Sequence, residues 1–281
     1  MTTASLRSVT PMPVRYGDVT DGLRHAEYLQ LANAQACFLA AASRTPVLTT
    51  NHNPFVPQTQ PIWDAYPWAH HGVSAASAAT FPSRGALPPI HHGIDVESFS
   101  FGRQPEGYLL FLGRFMPDKG AMRAIEAARL AGRRLVLAGK VDTADSDHFT
   151  REIEPAIDGN RVTYVGEADA DTKRRLLAGA DALLFPIEWD EPFGLVMIEA
   201  LASGTPVIGF RRASVPEIVD DGLTGFVVDD VAAMASAIDR VSEIDRRICR
   251  REAERRFTVE RMANDYLSRY ATVRDGVLAA S

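Results

Sequence analysis

The segment from residue 181 to residue 209 constrains the fold most, because its own pattern predicts four consecutive elements. Residues 182–185 form a short apolar run typical of a buried strand, and a polar turn follows them. Residues 195–202 have helical periodicity, and residues 205–208 form a second apolar run. The segment therefore predicts a strand, a loop, a helix and a strand, which is the repeating unit of parallel α/β sheets.

The start of this predicted helix is a candidate ligand site. Glu191, Phe193 and Gly194 precede the helix and Leu195 opens it. Helix N-termini bind anions through unpaired N–H groups at the positive end of the dipole, and Gly194 lets a ligand approach closely. Glu191 and Glu199 could accept hydrogen bonds from hydroxyls of one extended ligand. The alternative is that Glu191 only complements the helix dipole and Glu199 is a solvated helix residue.

The composition favours a protein that acts on small molecules. The 281 residues, 46% of them hydrophobic, allow two modest domains with real cores, and the net charge of −6 argues against a nucleic-acid binder. Cys37 and Cys249 lack metal-ligand spacing, so neither a disulfide framework nor a zinc site is predicted. The sequence shows no signal-peptide core and no membrane-spanning run, and we expect a cytoplasmic protein.

The first domain is predicted at residues 1–102. Within it, residues 23–42 predict a helix and residues 46–50 a buried strand. His52 follows this strand, at the sheet edge where open α/β folds bind ligands, so it is a candidate site residue. The alternative is a histidine that caps a turn. A polar, aperiodic stretch at residues 98–107 marks the domain boundary.

The second domain is predicted at residues 103–257, where strands and helices alternate. Before the segment at 181–209, strands are predicted at 108–112, 134–138 and 162–165, and helices at 121–131, 149–157 and 171–180. This alternation predicts a Rossmann-like domain with a parallel sheet. No Gly-x-Gly-x-x-Gly follows its first strand, so a nicotinamide or flavin dinucleotide is not indicated.

Two cations lie on the loop after the strand at 108–112. Gly113 and Arg114 begin this loop, and Lys119 lies near its end. A planar guanidinium and an ammonium group together could neutralise a diphosphate without a metal. The alternative is ordinary solvated surface charge.

A second basic set lies near the C-terminus, on a predicted helix. It allows two interpretations, a salt-bridged solvated face or a weak peripheral contact with anionic lipid headgroups. Its members are Arg246, Arg247, Arg250, Arg251, Arg255 and Arg256.

Taken together, these motifs resemble glycosyltransferase family 4, retaining enzymes that use nucleotide sugars. The similar segments, in the family's order, are Asn51-His52, Gly93-Ile94-Asp95, Gly113-Arg114 with Lys119-Gly120, Gly166-Glu167, Glu191 to Glu199, and Gly204-Thr205-Pro206-Val207. The resemblance implies an α/β fold of GT-B type, with two Rossmann-like domains facing a cleft, the first one incomplete. It also implies that a C-terminal helix at residues 259–278 packs back on the first domain.

The resemblance implies transfer of a hexosyl group from a nucleotide diphosphate sugar to an unknown acceptor, with retention and without a metal or other cofactor. Arg114 and Lys119, on the loop that Gly113 begins, would hold the diphosphate. The backbone N–H groups of Gly194 and Leu195 would complete its binding site.

The resemblance assigns the remaining candidates to the other parts of the donor. Glu199 would bind the ribose hydroxyls, and Gly166-Glu167 would lie by the base. Glu191 and Phe193 would contact the transferred sugar, and His52 would approach its anomeric carbon from the first domain.

The chain also departs from the family pattern. The first domain is short and has no glycine pair before His52, His92 stands where asparagine is usual, and Ala213-Ser214 replace a glycine pair. The short first domain leaves open a catalytically inactive nucleotide-sugar-binding homologue or a partner subunit of another transferase. A nucleotide-sugar epimerase is a third hypothesis.

Overall fold

The computed structural model describes residues 29–31, 46–65 and 69–275. Strands in these residues form two sheets, and every strand pairing in both sheets is parallel. The structure is therefore α/β with parallel sheets, as the alternation of strands and helices predicts.

The smaller sheet has the order β1-β2-β3. Its strands are β1 (Leu29–Leu31), β2 (Val47–Asn51) and β3 (Ala69–Gly72). The strand predicted at 46–50 is confirmed. The helix predicted at 23–42 is wrong at residues 29–31, because parallel pairing with β2 holds this segment extended. The remainder of that prediction lies outside the described residues.

The larger sheet has the order β6-β5-β4-β7-β8-β9. Its strands are β4 (Tyr108–Leu112), β5 (Arg134–Ala138), β6 (Val162–Tyr164), β7 (Ala182–Phe185), β8 (Val207–Phe210) and β9 (Gly225–Val228). The predicted strands are confirmed, with a shift of the boundaries in β8, and β9 was not predicted. The chain leaves β4 towards β5 on one side, and β7 lies on the other, so the strand order reverses between β4 and β7.

Helices connect these strands. They are α1 (Gln60–Ala65), α2 (Ala75–Ala79), α3 (Ala121–Leu130), α4 (Ala170–Gly179), α5 (Leu195–Ala202), α6 (Val215–Ile218), α7 (Val231–Asp239), α8 (Arg246–Arg256) and α9 (Val259–Arg274). Single 3-10 turns lie at Pro57–Thr59, Val96–Ser98, Pro117–Lys119, Thr143–Asp145 and Val241–Glu243.

The helix predicted at 149–157 is replaced by short helical pieces. They are Ser146–His148, a π-helical stretch at Phe149–Ile153 and a 3-10 turn at Glu154–Ala156. Pro155 explains the change, because proline has no N–H to donate and disturbs the turn before it.

The core lies on both faces of the larger sheet. Leu109 and Leu110 of β4, together with Leu183 of β7, are fully buried although neighbouring side chains on a strand point to opposite faces. A parallel strand covered on both sides is apolar throughout, which is why these strands stand out in the sequence. This buried centre gives the loops at its carboxyl edge a rigid base.

Helix α9 returns from the larger sheet to the smaller one. The Tyr266 hydroxyl lies 3.1 Å from the Thr50 hydroxyl on β2. The Arg261 guanidinium donates to the backbone carbonyls of His91 and His92, at 2.7 and 2.9 Å. The C-terminal helix therefore contacts the first part of the chain, whereas the boundary at residue 102 stays a prediction.

Arg246 is the first residue of the basic set on α8, and its side chain points inward and holds three segments of the chain together. Its guanidinium donates to the carbonyls of Gly102, Ala178 and Ala180 at 2.6, 2.9 and 2.7 Å, and to the Thr205 hydroxyl at 2.8 Å. Burial lowers the pKa of Arg246. This arginine joins the segment before β4, the end of α4 and the start of β8.

The other arginines of the basic set have side chains that point either inward or outward. Arg250 and Arg256 have side chains only 14% and 17% exposed and donate to backbone carbonyls. Arg247 and Arg255 are 81% and 66% exposed and pair with neighbouring acids. The solvated-face interpretation therefore holds for the outward members alone, and contact with lipid stays a prediction.

We expect Arg246→Ala to lower the free energy of unfolding by about 3 kcal/mol, because three backbone carbonyls lose a charged donor. Arg247→Ala, the neighbouring exposed position, is the control and should cost less than about 0.5 kcal/mol. Urea unfolding of both variants measures the difference. Equal losses would show that Arg246 has no special structural role.

Candidate active site

A cleft of about 440 Å³ opens at the carboxyl edge of β4 and β7. In open α/β sheets this is where ligands bind, because the connections on either side of the reversal point separate and leave a crevice. Most of the predicted site residues line this cleft. They are His52, Gly113, Arg114, Lys119, Glu191, Phe193, Gly194 and Leu195.

The N-terminus of α5 faces the cleft without a side-chain cap. Gly194 precedes the helix with φ +79°, a conformation that favours glycine. A β-carbon there would lie 2.7 Å from the Met197 methyl and 3.1 Å from the Phe185 ring. The first N–H groups of α5 are therefore accessible to a ligand, at the positive end of the helix dipole.

Lys119 and Glu191 form an ion pair inside the cleft, with side chains 17% and 15% exposed. The Trp189 indole N–H donates to the same Glu191 oxygen at 2.9 Å, and the Lys119 ammonium lies 4.7 Å from the centre of the Trp189 ring. The carboxylate is thus held by two donors. The ammonium keeps hydrogens for a further acceptor, since it has three.

Arg114 lies at the rim of the cleft with a side chain 54% exposed. Its nearest charged partner is Asp142, at 3.6 Å, and Asp142 also accepts a hydrogen bond of 2.8 Å from Lys140. Lys140 and then Arg114 hold the pKa of Asp142 below its ordinary value. Because its ion pair is long and exposed, the Arg114 guanidinium can turn towards a ligand at little cost.

Histidines form the wall of the cleft that faces α5. The rings of His52 and His92 stack with centroids 5.3 Å apart, and His92 meets the Phe193 ring edge-on at 5.0 Å. Burial lowers the pKa of His52. Burial, followed by the charges of His52, Arg261 and His91, lowers the pKa of His92 to about 4. Both rings are therefore neutral at pH 7.

Glu199 lies outside the cleft lining, on the second turn of α5. Its side chain is 13% exposed and accepts a hydrogen bond of 2.6 Å from the ammonium of Lys173 on α4. The sequence offered no signal for Lys173, because its partner lies on another helix. The pair leaves the second carboxylate oxygen of Glu199 without this donor.

Gly166 and Glu167 also lie outside the cleft lining, further along the same sheet edge. The Gly166 carbonyl accepts a hydrogen bond of 2.9 Å from Gly139, and a β-carbon on Gly139 would overlap the Gly113 carbonyl. The loops after β4, β5 and β6 are therefore in close contact. Glu167 is exposed and lies on the surface of the last of these loops, beyond the cleft.

Glu217 of α6 connects the two sheets. Its carboxylate oxygens accept hydrogen bonds from the backbone N–H groups of Ala75 and Ala76, at 2.7 and 2.8 Å, and His91 lies 3.2 Å away. Burial alone would raise the pKa of Glu217, but these hydrogen bonds hold it below its ordinary value. The carboxylate thus fixes the first turn of α2, beside the smaller sheet, to the larger sheet.

The described residues contain no group of three or more His, Cys, Asp or Glu that could hold a metal ion. Transfer without a metal stays a prediction. None of the helices within the described ranges combines the length and apolar character needed to cross a bilayer. The described cysteine, Cys249, is buried, and burial raises the pKa of its thiol to about 12.

Comparison with known proteins identifies the family. The family model described as glycosyl transferases group 1 matches residues 95–256, more than half of the chain. The chain belongs to the group 1 glycosyl transferases. Membership of family 4 in particular stays a prediction.

Curated relatives are similar to this chain over part of their length. A D-inositol 3-phosphate glycosyltransferase of Mycobacterium sp. (strain JLS) is 32% identical over 177 residues, which cover 56% of this chain and 39% of the relative. A 41.2 kDa uncharacterized protein in the cps region of Klebsiella pneumoniae is 32% identical over 171 residues, 58% of this chain and 45% of that protein. The chain spans less than half of the length of these relatives.

Solved structures show the same GT-B fold over nearly the whole chain. AviGT4, a glycosyltransferase involved in avilamycin A biosynthesis, is 26% identical with a TM-score of 0.75, covering 97% of this chain and 81% of AviGT4. HepE of Anabaena, solved in complex with UDP, is 18% identical with a TM-score of 0.78, covering 91% of this chain and 81% of HepE. The predicted fold class is thereby confirmed.

The lowered pKa of His92 predicts how the stability of this protein depends on pH. The folded pKa, about 4, lies below the ordinary 6.5, so the unfolded chain takes up the proton first as the pH falls. The stabilisation is complete above pH 6.5 and is lost between pH 6.5 and 4. Between pH 6.5 and 5 the free energy of unfolding should fall in the wild type, because the unfolded chain takes up a proton at His92. In His92→Asn this fall should be about 1 kcal/mol smaller.

Urea unfolding at pH 7, 6.5 and 5 measures this difference. Parallel pH profiles for wild type and variant would contradict the assignment of a neutral, half-buried His92.

Proposed function

We propose that this chain transfers a hexosyl group from a nucleotide diphosphate sugar to an acceptor hydroxyl, with retention of the anomeric configuration. One observation carries the proposal: Arg114, Lys119 and the uncapped N-terminus of α5 line a single cleft at the reversal point of the larger sheet. Guanidinium, ammonium and helix dipole together suit a diphosphate.

The diphosphate is the leaving group of this reaction. When the bond between the anomeric carbon and the phosphate oxygen breaks, negative charge grows on the diphosphate. Lys119 and the first N–H groups of α5, together with Arg114 once its guanidinium has turned towards the bound donor, stabilise that charge and lower the barrier. Lys119 can donate to Glu191 and to phosphate at once, since its ammonium carries three hydrogens.

The transferred sugar lies against Glu191, Phe193 and His52 in this proposal. Glu191 is oriented by Lys119 and Trp189 rather than free, which supports a role in hydrogen bonding to sugar hydroxyls. His52 is neutral at pH 7 because burial lowers its pKa, so its ring can both donate and accept.

The nucleoside extends from the cleft along the sheet edge. Glu199 binds the ribose hydroxyls through the carboxylate oxygen that Lys173 leaves available. The base then lies over the loop of Gly166-Glu167. A protein of the same fold, HepE, was solved with UDP and with UDP-glucose, which makes uridine the first base to test.

No protein nucleophile is assigned. In a front-face reaction the acceptor oxygen attacks the anomeric carbon on the side that the diphosphate leaves, and a departing phosphate oxygen takes the acceptor's proton. The carbon–oxygen bond to phosphate breaks as the new glycosidic bond forms, so the configuration is retained. The engagement of Glu191 with Lys119 and Trp189 supports this proposal over a covalent glycosyl intermediate on that carboxylate. No observation favours the inactive homologue or the partner subunit.

Nucleotide binding gives the first test of the proposal. We expect one of the nucleotides UDP, GDP and ADP to stabilise the protein, and its glucose conjugate to do the same. Each should raise the free energy of unfolding by about 2.7 kcal/mol at roughly 100 times its Kd. Arg114→Ala should weaken that binding about tenfold, because a charge-assisted hydrogen bond is lost. Calorimetric titration and thermal unfolding measure both effects.

Arg123→Ala is the matched control, since Arg123 is similarly exposed at 47% and does not line the cleft. It should bind nucleotides as the wild type does. Transfer is then assayed with the bound donor and an acceptor panel, and the product's anomeric proton coupling reports the configuration. Absence of binding by every class, or an inverted product, would overturn the proposal.

The contact of Glu199 with ribose predicts a preference for ribonucleotides. We expect the wild type to bind the ribonucleoside diphosphate about tenfold tighter than its 2′-deoxy analogue, as one lost hydrogen bond to a charged acceptor requires. Glu199→Ala should bind both forms equally, whereas Glu199→Gln should keep part of the preference. Calorimetry with the paired ligands measures the ratio, and an unchanged ratio in Glu199→Ala would rule out the contact.

A further inference from the structure

We propose that a second cavity beside the cleft binds the acceptor, and that this acceptor is uncharged and presents an apolar ring face next to its reacting hydroxyl. The inference rests on the proposed transfer reaction. The second cavity has a volume of about 350 Å³ and shares Glu191 and Pro192 with the cleft. A ligand in it would therefore lie next to the carboxylate assigned to the transferred sugar.

The wall of the second cavity is mostly apolar and comes from both sheets. Pro54 and Phe55 follow β2, Ala76 lies on α2, and Pro192 and Ala213 come from loops of the larger sheet. The Phe55 ring is held edge-on against Phe81, with centroids 5.4 Å apart. A fixed ring and small apolar neighbours suit a flat apolar face, such as that of a pyranose or an aromatic ring.

Ser77 supplies a polar group that lacks a partner. The residue is 5% exposed and lines the second cavity, yet its hydroxyl has no hydrogen-bond partner within the described part of the chain. The Ser77 backbone N–H binds the Ser74 hydroxyl at 2.9 Å, which fixes its position at the start of α2. A buried hydroxyl without a partner destabilises the free protein, and a rotation of the Ser77 side chain about χ1 would let a ligand hydroxyl in the cavity satisfy it.

The charges around the second cavity exclude an anionic acceptor. Among the described residues that line it, none is Lys, Arg or His. Its acids are already paired, Asp190 with Arg212 at 3.2 Å and Glu191 with Lys119. An acceptor phosphate, such as the one in the name of the mycobacterial relative, would find no cation on the described lining that is free to pair with it. An uncharged acceptor needs no such partner.

Ala213 has φ +47°, a conformation rare for residues with a β-carbon. The residue lines the second cavity, so this backbone conformation contributes to the shape of the space that a ring can enter.

The test compares three probes of one sugar. They are p-nitrophenyl β-D-glucopyranoside, methyl β-D-glucopyranoside and glucose 6-phosphate. Each is titrated by calorimetry into the full chain, first without nucleotide and then with the chain saturated by the nucleoside diphosphate that it binds. We expect the p-nitrophenyl glycoside to bind about tenfold tighter than the methyl glycoside, as one packed apolar group provides. Glucose 6-phosphate should bind more weakly than either.

Ala76→Leu fills the second cavity while keeping helix propensity and the backbone contacts to Glu217. It should weaken the p-nitrophenyl probe about tenfold and leave nucleotide binding unchanged. Ala79→Leu, exposed on the same helix and outside both cavities, is the matched control and should bind every probe normally.

Ser77→Ala keeps the proposal testable if the leucine variant fails to fold. It should raise the Tm of the free protein by about 2 °C, since an unsatisfied hydroxyl is removed, and weaken the glycosides about threefold. A serine with only a structural role would instead lose stability and leave probe binding intact.

Each failure has a distinct signature. No binding of the glycosides, equal binding of the p-nitrophenyl and methyl forms, or tightest binding of glucose 6-phosphate would overturn the assignment of this cavity. Normal nucleotide binding in the same samples would show that the donor site is unaffected by that result. Glycoside binding without any nucleotide binding would support the cavity and count against the proposed transfer reaction.

Discussion

The strand order β6-β5-β4-β7-β8-β9 is the constraint on which the rest of the structure depends. Because the connections diverge between β4 and β7, the loops that follow these strands separate and leave a crevice at the carboxyl edge. The loop after β4 carries Arg114 and Lys119, and the loop after β7 carries Glu191 and leads into α5. The charges thus meet because the topology brings these loops to one place, and neither loop alone would form the proposed diphosphate site.

The positive character of the cleft comes from groups that do not depend on histidine protonation. Burial keeps the pKa values of His52 and His92 low, so at neutral pH these rings add shape and hydrogen bonding rather than charge. Glu191 offsets part of the charge of Lys119. What remains for an anion is the exposed guanidinium of Arg114, the free hydrogens of the Lys119 ammonium and the dipole of α5. This arrangement favours a ligand of which only one part is strongly negative, and a nucleotide diphosphate sugar has that distribution.

The sequence predicted well those features that a local pattern can encode. The two central strands β4 and β7 are apolar throughout, so both were found with their observed bounds. Strand β9 was missed because it begins with Gly225, and glycine inside a short apolar run weakens the strand pattern. Residues 29–31 were assigned to a helix because their strand exists only through pairing with β2.

The loop residues of the cleft could be proposed from the sequence because each of them follows a predicted strand. The pairing of Lys173 with Glu199 could not, because the two side chains come from separate helices and no sequence spacing relates them.

The two cavities are linked through a small set of contacts between the sheets. Glu191 and Pro192 belong to both cavities, so the segment that would orient the sugar also forms a wall for the acceptor. The opposite wall includes Ala76 and Ser77 of α2, whose first N–H groups are bound by Glu217 from the larger sheet. The Glu217 carboxylate, together with the contacts of α9, therefore helps to set the distance between the two proposed sites. If the proposed sites are correct, a change that releases α2 from Glu217 moves the acceptor wall and leaves the loops of the diphosphate site in place, so transfer should be more sensitive than donor binding to how the two sheets are held together.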